Sequence, residues 1–154
     1  MAGLLSTISL FAIVLLAASA NAGGITGLLS PTNRTYTVIS NELLNWIGAN
    51  TFCELRGLEL AHNITDDAEF NYVNGLLNGA SLTSSVVWVG GTEIATEGNY
   101  YWTKSGERIE INKWDPGQLP DVNNRCLAMR KGYWYRGSCD TEASFVCMSP
   151  QPTG

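Results

Sequence analysis

The chain has 154 residues, of which 45% are hydrophobic and 15% charged, and its formal net charge is -5. Nine Lys and Arg stand against fourteen Asp and Glu, scattered rather than gathered into a basic stripe, which excludes a nucleic-acid partner. The length suits one domain with a substantial core.

"MAGLLSTISLFAIVLLAASANAGG" opens the chain. The apolar run from Ile8 to Ala18 is short for a membrane span, and small residues of A-x-A type follow it. This pattern predicts a secretory signal peptide cut after Ala20 or Ala22, although the α-amino group is the only positive charge ahead of the run. No second apolar run reaches spanning length, so no membrane span is expected. The expected organisation is a signal peptide at 1–22, a short extension at 23–34, one domain at 35–149 and a tail at 150–154. The product is expected to be secreted and extracellular.

"TYTVIS" alternates as a half-buried strand does. Ser40 or Asn41 then offers a cap for a helix through "ELLNWIGANTFCELR", ending at Gly57. Trp46, Ala49 and Cys53 fall on one face of that helix and read as packing. A second helix opens at Asp66 with Glu69 three residues on, in the manner of a capping box. Its inner side carries Phe70, Val73 and Leu77, and Asn78-Gly79 ends it. "SVVWVG" is a short β-branched strand. From Gly91 to Asn124 the pattern becomes long, polar and Gly- and Pro-bearing, and loops of that length are usually functional where ordered. "RCLAMR" and "YWYRGSC" flank Lys131-Gly132, a tight hairpin signal, and "SFVCM" makes a last strand.

Four cysteines, Cys53, Cys126, Cys139 and Cys147, allow three pairings. Close C-x-x-C pairs are absent and only one His is available, so structural disulfides are expected rather than zinc. The hairpin register brings Cys126 within a diagonal step of Cys139, which leaves Cys147 for Cys53. "NRT" at Asn33 and "NIT" at Asn63 are sequons, and on an exported chain both are candidate glycosylation sites. His62 is the single imidazole, and no Ser or Cys nucleophile has an evident base, so no catalysis is expected.

From Tyr36 to Met148 the chain resembles the C-type lectin-like domain. The resemblance is carried by Trp46, Ala49 and Cys53 in a W-x-x-A-x-x-x-C pattern, Gly57, Leu60-Ala61, "WVGG" at Trp88, "EGNYYW", "KW" and the closing "FVC". It implies an α+β fold, two helices on small antiparallel sheets with a long ligand-binding loop, and the disulfides Cys53–Cys147 and Cys126–Cys139. It also implies a main calcium site made from a Glu-Pro-Asn or Gln-Pro-Asp tripeptide, an acidic residue before the third Cys, and the Asn-Asp of a W-N-D strand. In that family the sugar coordinates the same ion, with Gln-Pro-Asp members tending towards galactose and Glu-Pro-Asn members towards mannose.

Here "GQLPD" supplies Gln118, Pro120 and Asp121, but Leu119 splits the triplet. The neutral Asn124 stands before Arg125 and Cys126, with Asn123 beside it. W-N-D has become Trp134-Tyr135-Arg136. The auxiliary calcium site keeps Glu93 and Glu97, while Val122 and Arg125 cannot serve as their partners. The carried-over ligand residues are therefore Gln118, Pro120, Asp121, Asn123, Asn124, Tyr135 and Arg136, and the degenerate metal set is Glu93, Glu97 and Asp121. Calcium wants six to eight oxygens, several of them charged, so no cofactor is expected beyond weak residual calcium. The expected function is weak, calcium-independent glycan binding, with Tyr100, Tyr101, Trp114, Tyr133 and Tyr135 as candidate stacking faces. The alternative is an extracellular protein partner read by the same scaffold.

Overall fold

The computed structural model describes residues 24–26, 29–94, 97–119 and 123–150. The expected signal peptide, Pro120 and Asp121 lie outside the described residues.

Strand β1 (Gly24–Thr26) pairs antiparallel with β2 (Tyr36–Leu44), so part of the stretch read as an extension belongs to the sheet. In β2, Tyr36 and Val38 are buried and Tyr36 to Ile39 run antiparallel to β8 (Ala143–Met148). After Ile39 the register shifts, and Leu44 still meets Ala143. That pairing holds Glu42-Leu43-Leu44 extended, although their propensities favour helix, so the first helix starts later than the caps at Ser40 or Asn41 predict. Asn45 is the cap, accepting from the Gly48 amide at 2.8 Å, and α1 covers Trp46–Glu54. Gly57 closes it at φ 69°, a left-handed geometry that glycine adopts without steric cost.

After the two-residue strand β3 (Glu59–Leu60), Asp66 caps α2 (Asp67–Gly79) by accepting from the Glu69 amide at 2.8 Å. The reciprocal half of a capping box is replaced by longer-range bonds. The Glu69 carboxylate accepts from the Tyr36 hydroxyl at 2.6 Å and from the Thr32 amide at 3.3 Å, pinning the chain entering β2 onto α2.

Strand β4 (Val87–Thr92) lies between β8, to which it is parallel, and β6 (Cys126–Arg130), to which it is antiparallel. Strand β5 (Tyr101–Trp102) pairs with the end of β4, and β7 (Tyr133–Gly137) closes the far edge. The antiparallel sheets thus join into one mixed sheet through the β4–β8 pair. Side-chain alternation sorts the core onto its two faces. Val87, Val89, Leu127, Met129, Val146 and Met148 meet Phe70, Val73 and Leu77 of α2. Trp88, Ala128, Phe145 and Cys147 meet Trp46, Ala49 and Cys53 of α1. Gly137 is required on the second face, since a Cβ there would lie 2.5 Å from the Trp88 ring.

Lys131 and Gly132 both have positive φ, at 52° and 75°, which makes a two-residue turn whose twist matches its strands. The disulfides are Cys53–Cys147 and Cys126–Cys139. The fold is therefore the C-type lectin-like arrangement that the resemblance implies.

Candidate functional site

The long segment between β4 and β6 is fixed at several points. Tyr100, Trp102 and Ile109 are buried in the core, and the Tyr100 hydroxyl donates to the Asn124 carbonyl at 2.7 Å. Glu93, only 6% exposed, donates its amide to the Arg125 carbonyl and accepts from the Gly98 amide, both at 3.0 Å. Burial pushes the Tyr100 hydroxyl well above the usual tyrosine range, and the Glu93 charge adds to this while Arg136 and Arg125 oppose it.

Further along, the loop lies beside β7. The Trp134 amide donates to the Lys113 carbonyl at 2.7 Å, and the Asp115 amide to the Trp134 carbonyl at 3.0 Å. Asp115 then accepts from Gly117 through its side chain and from Gln118 through its carbonyl, at 2.9 and 3.1 Å. This turn aims Gln118 back at the strand. Its Oε1 accepts from the Arg136 amide at 2.6 Å, and its Nε2 donates to the Arg136 carbonyl at 2.5 Å. The side-chain amide therefore pairs with the strand edge as a backbone peptide would.

Arg136 answers with its guanidinium, which donates to the Gln118 carbonyl at 3.3 Å and lies 4.2 Å from the centre of the Trp114 ring. Trp114 packs in turn on Tyr100 at 4.9 Å. Alternation along β7 sends Tyr135 to the other face, where it packs with the α1-side core and meets the Arg130 guanidinium at 5.1 Å. Gln118 and Arg136 are thus brought together, and Tyr135 is not. Asn123 is exposed and Asn124 half-buried, while Glu97 is exposed and its carbonyl lies 3.5 Å from the Asn99 amide nitrogen. Among the stacking candidates, Tyr100 is buried and Trp114 carries Arg136 on its face. Tyr101 and Tyr135 are half-buried, and Tyr133 is exposed.

Beside the Arg136–Trp114 stack opens a cleft of about 120 Å³ lined by Glu93, Asn99, Tyr100, Arg108, Trp114 and Arg136 among others. Asn99 and Arg108 carry no linear signal, since each sits in an ordinary polar stretch and only the fold sets them against Trp114. No group of three or more His, Cys, Asp or Glu arranged to hold a metal occurs among the described residues. His62 is buried and paired with Glu59 at 2.8 Å. No cysteine is free, and no helix among the described residues is long and apolar enough to cross a membrane.

Comparison with known proteins agrees with this architecture. Residues 42–149 match the family described as Lectin C-type domain. The chain is 31% identical to human C-type mannose receptor 2 over 121 residues, which cover 75% of this chain and 8% of the receptor. It therefore spans a small fraction of that relative's length. It is 30% identical to Snaclec 3 of Daboia siamensis over 116 residues, covering 73% and 72% of the two chains. Among solved structures, the calcium-free form of a calcium-dependent type II antifreeze protein superposes with a TM-score of 0.68 at 21% identity, over 81% of this chain and 97% of that one. At that identity the likeness speaks to fold alone. With its fold, its disulfides and the family match over 42–149 in agreement, the chain belongs to the C-type lectin domain family.

Proposed function

We propose that the protein is a secreted recognition domain that binds glycans weakly and without calcium. Members of this family are generally binding proteins rather than enzymes. The observation that carries the reading is the Gln118–Arg136 pair. The amide oxygen that would serve as a calcium donor already accepts from the Arg136 amide, and the adjoining guanidinium rests on Trp114. A guanidinium about 4 Å from a calcium ion repels it by about 8 kcal/mol at an effective dielectric of about 20. The Gln118–Arg136 pair therefore argues against tight calcium binding at this position, and Arg136 supplies a positive charge instead.

The neighbouring cleft supports a hydroxyl-rich ligand. Glu93 offers acceptors, Arg108 donors, Asn99 both, and Trp114 an apolar wall, a mixture suited to sugar hydroxyls. The leader-like segment at 1–22 and the two disulfides support export to an oxidising compartment. Glycan-array binding with and without chelator tests the reading, and the expected result is weak binding that chelator leaves intact. Loss of binding on chelation would overturn calcium independence. A second reading, recognition of a protein surface, is favoured by Leu119 and Ile94, which are 82% and 54% exposed on the long loop. It takes first place if the array is blank.

A further inference from the structure

We infer that the cleft beside Trp114 selects an acidic saccharide, a sugar bearing a carboxylate or sulfate, with Arg108 as the residue that holds the charge. This inference rests on the glycan reading and deepens it. Two guanidiniums, Arg108 and Arg136, and one carboxylate, Glu93, supply the charges among the lining side chains, so cationic groups outnumber anionic ones in the lining of a chain whose overall formal charge is -5.

The three groups are not equivalent. Arg136 is held by Trp114 and by the Gln118 carbonyl. Glu93 is buried and already accepts from the Gly98 amide, so it suits a ligand hydroxyl that can donate to it. Arg108 is more than half exposed, and its salt bridge runs to the still more exposed Glu110 at 3.6 Å. An exposed pair of that kind contributes little and is screened by salt, so an incoming anion can displace it. A carboxylate or sulfate would gain charge-assisted bonds from the guanidinium fork, while a neutral sugar of the same shape would not.

The test is an NMR titration of the oxidised, 15N-labelled protein in chelator and low salt, following the Trp114 indole N–H. The probes are methyl glucuronide, galactose 6-sulfate and the neutral methyl glucoside. The account expects an acidic probe to saturate the shift at a concentration about fivefold lower than the neutral one. It expects Arg108→Gln to reduce that preference below about twofold, with an otherwise unchanged spectrum. Arg56→Gln, which removes a charge outside the cleft, should leave the preference intact. Equal binding of acidic and neutral probes, or a preference that survives Arg108→Gln, overturns the inference while the glycan reading stands. Failure of every probe to shift Trp114 overturns both.

Discussion

The Gln118 side-chain amide closes a two-bond ring with the backbone of Arg136, accepting at 2.6 Å and donating at 2.5 Å. Strand β7 is the last of the main sheet path, and an uncovered edge invites pairing with another chain. Gln118 and the Lys113–Asp115 backbone cover it, so one residue both shapes the loop and seals the sheet.

Replacing Gln118 with Ala should therefore loosen the loop without unfolding the domain. The Arg136 N–H and C=O lose their partners, and leaving a half-buried backbone group unpaired costs about 1–3 kcal/mol. Hydrogen exchange at the Arg136 amide should accelerate about tenfold or more, while the amides of β4 and β8 keep their protection. Unchanged exchange at Arg136 would mean that the ring does not hold in solution.

The two disulfides should differ in weight. Cys53–Cys147 spans 94 residues and Cys126–Cys139 spans 13. Chain-entropy reasoning assigns them about 4.7 and about 2.9 kcal/mol. Denaturant melts of the two paired Cys→Ser variants should show the larger loss for the long bridge. The short bridge should matter more for the order of the adjoining loop, read from the Trp114 indole signal.

Stability should fall in alkali. Tyr36 and Tyr100 have hydroxyls raised above 10.0, chiefly by burial, with Glu69 and Glu93 respectively adding to the effect. A raised folded-state value contributes stability that is fully present below the unfolded value and is lost as pH rises beyond it. From about pH 10 upward the unfolded state releases protons that the folded state retains. Two such groups give a slope of about 2.7 kcal/mol per pH unit. Chemical denaturation between pH 8 and 11 measures it, and a flat profile would contradict the burial argument.

Much of this fold is legible in the sequence because local signals and tertiary demands agree. The α2 cap at Asp66, the Lys131-Gly132 turn and the β-branched run of β4 are such cases. The start of α1 is a local signal overridden, because β8 holds Leu44 extended by pairing it with Ala143. Glu69 falls at a capping-box spacing, yet its carboxylate turns to Tyr36, which lies 33 residues away. The candidate site was legible only in part. Gln118 and Arg136 stand out as departures from a family pattern, but nothing linear tells that the two departures meet. Trp114 gains its role by receiving the Arg136 guanidinium, a contact that only the pairing of the loop with β7 creates.

Glycan, where attached, should favour Asn33 over Asn63. Asn33 is exposed, in a turn closed by the Ser30 carbonyl. Asn63 is half-buried, and its side-chain oxygen accepts from the Ser105 hydroxyl at 2.6 Å, so a bulky modification there would have to break that contact. Peptide mapping of secreted protein after deglycosylation in heavy water should find Asn33 converted to the greater extent. An unmodified Asn33 beside a modified Asn63 would reverse the ranking.

Calorimetric titration of calcium into the purified, oxidised protein bears most directly on the proposed calcium independence, in which Arg136 takes the place of a charged ligand on the W-N-D strand. Loss of charged ligands weakens calcium sites by orders of magnitude, and on the proposed reading the Arg136 guanidinium adds repulsion. The account predicts no one-site binding heat below about 1 mM calcium. Stoichiometric binding with a micromolar Kd would contradict it and return a calcium-dependent sugar site to first place.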